Sequence, residues 1–214
     1  MKLLQQANIV VDVVAVYDPA THRYDHHQRE FQGALDGYIT RLSSAGLVYK
    51  HFGHDIIRTI LRQLQSPYAE DAGFIEICFQ KVYKDFMEHV DAIDNGISVS
   101  DGPLRYQISS TLSSRVGRLN PSWNELQSPE VINERFQEAM MLTCSEFIQH
   151  VYELATSWWP ARSIVQDALD KRFEVDPSGK LLLFSQVAPW KDHLFELEDQ
   201  VRLLRSMFAL PSRG

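Results

Sequence analysis

Cysteine is scarce in this chain. Cys78 and Cys144 are the only two among 214 residues, and they lie far apart in stretches of helical spacing. Their scarcity excludes a disulfide-stapled fold and a thiolate cage for structural zinc, so buried thiols in a reducing compartment are expected. Long apolar runs are missing too: nothing approaches the ~20 consecutive apolar residues of a membrane helix. The first residues form neither a basic stretch with an apolar core nor an Arg/Ser-rich amphipathic leader, so no targeting segment is visible and a cytoplasmic location stays open. Basic charge is also in deficit, with 21 Lys and Arg against 28 Asp and Glu and a net charge of −7. A protein that grips nucleic acid with its whole surface needs a basic face, which this composition disfavours. A cleft that meets phosphate through bound cations remains open. Repeats and low-complexity tracts are absent.

What the chain does have is the composition of an ordinary globular protein, 44% apolar and 23% charged, with length enough for a sizeable core. The run Ile9 to Val16 is rich in β-branched residues and predicts a strand buried on both faces. Asp12 interrupts it. A carboxylate there is costly to bury unless hydrogen-bonded or bound to a cation, so it reads either as a ligand at a strand end or as a satisfied structural Asp. After the turn Tyr17-Asp18-Pro19-Ala20 comes His22-Arg23-Tyr24-Asp25-His26-His27-Gln28-Arg29. Imidazole is a versatile ligand for divalent metals and is usually oriented by a carboxylate, a role open to Asp25.

Ser43 or Ser44 caps a helix through Leu47, Ile57, Ile60 and Leu64, and its first turn could hold a phosphate oxygen on free N–H groups, although a serine cap alone explains the pattern. A second helix fits Phe74 to Ile93 and stops at Gly96. Near its end Asp91 and Asp94 share one face, where two acids repel unless a cation is close. Arg115 and Arg118 stand beside hydroxyl residues and could clamp phosphate or simply face solvent. Ser128-Pro129 opens a long helix whose stripe, Phe136, Met140, Met141, Phe147, Ile148 and Val151, reads as core. A helix from Ala161 to about Phe173, a turn at Asp176-Pro177-Ser178-Gly179, a short strand at Leu181–Phe184 and a last helix from Pro189 complete the pattern.

In several stretches the sequence resembles the melanocyte-proliferating-gene (Myg) family of the DHH phosphoesterase superfamily. They are Ile9-Val10-Val11-Asp12-Val13, His22 to Arg29 with its Asp25-His26-His27 triplet, Leu42-Ser43-Ser44-Ala45-Gly46, Val90-Asp91-Ala92-Ile93-Asp94-Asn95-Gly96, Arg118-Leu119-Asn120-Pro121, Val175 to Gly179 and Pro189-Trp190-Lys191. The resemblance implies an α/β fold: a partly parallel DHH-type sheet flanked by helices, helix-rich, missing its first strand and with the C-terminal domain mostly absent. A partial DHH domain is expected over 1–125, with a helical continuation and the start of a truncated C-terminal domain over 126–214. It implies a two-metal hydrolase using Mn2+, a 3′ to 5′ exonuclease of single-stranded RNA found in nucleus and mitochondrion. By the same resemblance Asp12 bridges both metals, His26 binds one of them, and Asp94, or else Asp91, is the last carboxylate ligand. Asp25 then orients His26, His27 faces the scissile phosphate, and Arg29, Ser43, Ser44, Arg115 and Arg118 contact substrate.

Two departures from the family accompany these matches. The family's first strand is followed by a motif of His-x-x-x-Asp character that supplies first-metal ligands, and this chain is expected to start downstream of it; Val14-Ala15 stands where the family has Gly-Gly. Weak Mn2+ binding, little turnover and an exposed sheet edge are therefore expected. The alternatives to an exonuclease are a non-catalytic binding or regulatory fragment of the same lineage and a metal-dependent hydrolase of another substrate.

Overall fold

A computed structural model describes residue 4 and residues 6–208, with backbone alone for 200–208. Residues 1–3, 5 and 209–214 lie outside the described residues. The chain divides into two compact units, Met1–Tyr152 and Glu153–Gly214. The boundary expected after residue 125 falls inside the first unit.

The first unit begins with a small mixed sheet of three short strands, β1 (Val10–Val11), β2 (Tyr17–Asp18) and β3 (Arg23–Tyr24), in the order β1-β3-β2. β1 runs parallel to β3, and β2 antiparallel to it. The α/β, helix-rich class agrees with the sequence, but the strand over Ile9–Val16 shrinks to two residues. Val10 is buried, whereas Ile9, Val11, Val13, Val14 and Val16 are exposed. β-Branched residues favour a strand where neighbours cover its faces; here the chain leaves the sheet after Val11. Asp12, Val14 and Ala15 take left-handed backbone at φ 62°, 80° and 49°, which cannot continue a ladder. Asp12 is thus not buried within a strand but stands just past the carboxyl end of one.

The helices follow their caps. α1 (Ser44–Gln63) starts where the Ser43 side chain accepts the Gly46 N–H, and α2 (Ala72–Val82) where the Asp71 side chain accepts the Phe74 N–H. Each such cap contributes about 1 kcal/mol. α2 continues through a π-helical turn, Tyr83–Met87, into α3 (Glu88–Asp94), and Gly96 at φ 70° follows. Leu47, Ile57 and Leu61 of α1 and Phe74, Cys78 and Val82 of α2 are fully buried. Each large apolar side chain among them contributes about 1.5–3 kcal/mol. A Cβ on Gly53 would lie 2.6 Å from the Phe79 ring, so this glycine lets α1 approach α2. Tyr49 stacks on Phe79 at 4.6 Å and its hydroxyl donates to the Phe79 carbonyl at 2.8 Å.

Two expectations about burial need correction. Burial pushes the Cys78 thiol up to about 12, as expected of an inert core thiol, but Cys144 is exposed. α4 (Leu112–Gly117) is followed by α5 (Pro129–Glu153), whose apolar stripe is only partly core. Val151 is buried and Phe147 meets the rings of Tyr49 and Phe86, yet Phe136 is 61% and Met141 68% exposed. Helical spacing marks a shared face; it does not say what covers that face.

The second unit holds a π-helical turn (Leu154–Trp158), α6 (Ala161–Asp170), α7 (Arg172–Val175) and α8 (Lys191–Phe208). Val165, Leu169 and Leu197 form its core, with Leu182, Phe184 and Leu194 against it. Buried His193 pairs through Nε2 with the Trp158 carbonyl at 2.7 Å. The strand expected at Leu181–Phe184 is irregular chain. Its alternation is real, Leu182 and Phe184 inward and Leu181 and Leu183 exposed, but no described strand pairs with it. The turn at Asp176–Gly179 forms as expected, with the Ser178 N–H on Asp176 Oδ1 at 2.9 Å and Gly179 at φ 64°. No helix among the described residues is long and apolar enough to cross a membrane.

Candidate metal centre

The register of β1 on β3 builds one side of the site. Val11 pairs with Tyr24 and the Asp12 N–H donates to the Tyr24 carbonyl at 3.0 Å, so the residues just past both strand ends meet. Asp12, Asp25, His26 and His27 each place a ligand-type atom within 4.8 Å of the others. Asp12 Oδ1 lies 3.8 Å from both His26 Nδ1 and His27 Nδ1. The Asp12 side chain is 59% exposed.

α3 supplies the other side. Asp94 Oδ2 stands 3.3 Å from His26 Nε2, with its side chain half exposed. Oxygen and nitrogen donors of this kind suit Mn2+. Donor atoms about 2.1 Å from a shared cation and at right angles stand about 3 Å apart, so the His26–Asp94 spacing is compatible with a cation held between them. The donors present are of a kind that fits a divalent cation: Asp12, Asp25, His26 and His27 cluster together, and Asp94 stands beside the Nε2 of His26.

The two histidines of the triplet are held by different partners. Asp25 is buried and serves His27: its Oδ1 accepts the His27 N–H at 3.0 Å and pairs with His27 Nδ1 at 2.7 Å. Its Oδ2 accepts the Ala15 N–H at 2.7 Å, fastening the left-handed loop that carries Asp12. Burial alone would push the Asp25 carboxyl up, but the hydrogen bonds from His27 and Ala15 outweigh it and hold the group below the usual carboxylate range. His27 is shifted up in turn by its hydrogen bond to Asp25, helped by the charges of Asp25, Asp12 and Asp94.

His26 is buried and oriented by Ser44. The Ser44 N–H donates to its Nδ1 at 3.1 Å and Ser44 Oγ lies 2.9 Å from the same atom. The orientation of His26 expected from Asp25 is thus corrected: an aspartate two residues from His27 reaches that ring through a local turn, and the helix cap reaches His26.

Asp91 is placed apart from the cluster. It is fully buried, and its Oδ1 accepts the Ser43 N–H at 2.9 Å and the Ser43 hydroxyl at 2.7 Å. Its Oδ2 accepts the Tyr83 hydroxyl at 2.9 Å. Burial pushes this carboxyl up, against the pull of those hydrogen bonds. The anion at the start of α1 is therefore the protein's own carboxylate. Ser43 and Ser44, expected at substrate, are engaged with Asp91 and His26.

Arg115 directs both terminal guanidinium nitrogens at Glu146 of α5, and Arg118 donates to the Ser109 carbonyl at 2.8 Å. Arg29 is exposed two residues beyond His27. Ser44 as the partner of His26 was missed in sequence; the signal was a second hydroxyl directly after a helix cap. Tyr83 and Asn95, which complete the Asp91 surroundings, left no comparable signal.

Residues 1–210 match the family model MYG1_exonuc, described as an uncharacterised protein family (UPF0160). The chain belongs to this family. It is 45% identical over 203 residues to the MYG1 exonuclease of Bos taurus, covering 91% of this chain and 51% of that protein. It is 44% identical over 204 residues to the MYG1 exonuclease of Homo sapiens, covering 91% and 52%. Against MYG1 protein C27H6.8 of Caenorhabditis elegans it is 44% identical over 201 residues, covering 91% and 57%. The chain thus spans little more than half the length of these relatives. No solved structure matches it.

Proposed function

We propose that this chain carries one side of the active centre of a manganese-dependent phosphodiesterase whose substrate is single-stranded RNA, shortened from its 3′ end. The observation that carries the reading is the convergence of Asp12 and His27 on one flank of His26 and Asp94 on the other, with Asp94 at 3.3 Å. The cow and human relatives are named exonucleases, which supports the hydrolytic part. The metal and the RNA rest on the donor chemistry and the family resemblance. So does residence in nucleus and mitochondrion.

In this reading Asp12, His26 and Asp94 hold the cation. Bound cations supply an acidified water and a positive clamp for the phosphate oxygens. Asp25 fixes the Nδ1 side of His27 and keeps that ring protonated to higher pH, which leaves its Nε2 to meet the phosphate with a positive charge and a proton. Arg29 and Arg118 are the proposed contacts to the RNA backbone. Arg115 contributes only by opening its pair with Glu146.

A second reading, a chain that binds the metal without turnover, is favoured by the donor count. Three donors around one imidazole are few for two cations, each of which needs several ligands. Incubating 5′-labelled single-stranded RNA with the purified chain and Mn2+ separates the readings. Slow Mn2+-dependent shortening from the 3′ end, lost in His26→Ala, supports the first. Mn2+ binding without any cleavage supports the second, and a chain that neither binds Mn2+ nor cleaves overturns both.

A further inference from the structure

α3 docks through a polar seam whose members recur on one helix face. Glu88 Oε1 accepts the Thr40 hydroxyl at 2.8 Å, Asp91 holds the N–H and hydroxyl of Ser43, and Asn95 Nδ2 donates to the Arg41 carbonyl at 2.8 Å. Positions 88, 91 and 95 are three and four apart, which brings them onto the same stripe. They grip the segment Thr40–Ser43 immediately before α1. Asp94 lies one residue short of the last of these contacts, and Ser44, the first residue of α1, holds His26. The groups that meet the two ring nitrogens of His26, Asp94 at Nε2 and Ser44 at Nδ1, are therefore both set by how α3 sits on this segment.

Asp91 is the centre of the seam. Its carboxylate receives three hydrogen bonds and lies so close to α1 that a Cβ on residue 46 would stand 2.2 Å from Oδ1. Gly46 thus belongs to the same device. Tyr83, buried in the π-helical turn before α3, closes the cradle from the other side.

We propose that Asp91, cradled by Ser43, Tyr83 and Gly46, is a positioning residue that locks Asp94 and Ser44 onto opposite nitrogens of His26. It acts through these neighbours and does not bind the cation. The proposal rests on the reading of Asp12, His26 and Asp94 as metal donors only for its consequence in metal affinity; the placement of the His26 ring is independent of it. Asp91→Asn retains the shape, an acceptor for Ser43 and an amide able to donate to the Tyr83 hydroxyl. A positioning role therefore survives this change, whereas a metal ligand would be lost in it.

The test combines a Mn2+ titration of the full chain with nitrogen NMR of the His26 ring in metal-free protein. Wild type is expected to show one His26 tautomer, with Nδ1 as a hydrogen-bond acceptor. Asp91→Ala and Gly46→Ala are expected to disturb that ring signal and to weaken Mn2+ binding about 10-fold or more, the scale on which groups behind a metal ligand act. Asp91→Asn recovers most of both. Should Asp91→Ala or Gly46→Ala fail to fold, Tyr83→Phe takes their place, with a loss of a few fold and a smaller ring shift. Equal damage to Mn2+ binding in Asp91→Asn and Asp91→Ala, with the His26 signal unmoved, overturns the proposal. A wild type that binds no Mn2+, with the His26 signal still shifted in the variants, supports the positioning and overturns the metal reading alone.

Discussion

The helical and the strand-borne residues around the His26 ring are built in opposite ways. On the helix flank Ser43, Ser44 and Asp91 are buried, every oxygen of Asp91 and the hydroxyl of Ser43 has a partner, and the backbone is ordinary helix and cap. On the strand flank Asp12 is mostly exposed and sits in a loop with three non-glycine residues at positive φ, its backbone tied to β3 and the residue after it by the Asp12 N–H on the Tyr24 carbonyl, the Asp25 N–H on the Val16 carbonyl and the Ala15 N–H on the Asp25 carboxylate. The contrast separates two tasks. Buried, satisfied groups fix where the imidazole stands, and an exposed, strained loop presents a carboxylate that a cation can reach. Strain of this kind costs on the order of 1–3 kcal/mol per residue and persists only where surrounding contacts hold it.

The comparison predicts unequal responses to mutation. Ser43→Ala removes a helix cap and one partner of a buried carboxylate, so about 2–3 kcal/mol of stability should be lost. In a chain of this size a thermal melt should fall by roughly 5–10 °C. Asp12→Ala, on the exposed flank, should change the same melt by less than about 0.5 kcal/mol. Equal losses at the two positions would break the contrast.

A smaller effect of opposite sign is expected in the loop. Val14 is β-branched at φ 80°, a region glycine enters freely. Val14→Gly should therefore stabilise the metal-free chain by about 1 kcal/mol, relief of strain outweighing the extra freedom of the unfolded chain. Denaturant titration that finds Val14→Gly less stable than wild type would show that the loop is not strained.

The smallest effect concerns pH. The folded chain raises the His27 titration above its ordinary range through Asp25. A group whose folded value is raised contributes stability that is complete below its unfolded value, about 6.5, and is lost as pH climbs through the folded one. The gap in melting temperature between wild type and His27→Ala in chelator should accordingly narrow as pH rises from 6 toward 9. A gap that widens over that range would contradict the Asp25–His27 pairing.

Much of this arrangement was legible in the chain, and the part that was not has physical reasons. Ser43 and Gly96 announced the start of α1 and the stop after α3 because caps and left-handed stops are local chemistry. The triplet and Asp94 stood out by residue type and spacing, with their roles given by family resemblance, and Asp94 does lie beside His26. Ile9–Val16 misled because β-branched composition records a preference for covered sheet, while coverage depends on residues elsewhere. The stripe of α5 misled for the same reason. Which histidine Asp25 serves depends on one turn of backbone, and Asp91 and Asp94 differ in role although both were read as acids on one helix face. Such choices are settled by tertiary contacts with Ser43, Ser44 and Tyr83, which spacing alone does not reveal.

The central claim is that His26, held by Ser44 and flanked by Asp12 and Asp94, forms a divalent-cation site in this chain. Titration of the 214-residue protein with Mn2+, followed by the electron paramagnetic resonance of the free ion, tests it most directly. Saturable binding is expected in wild type, weakened about 100-fold or more in His26→Ala while that variant still melts cooperatively in chelator. Equal binding by wild type and a folded His26→Ala, or none by either, would contradict the account.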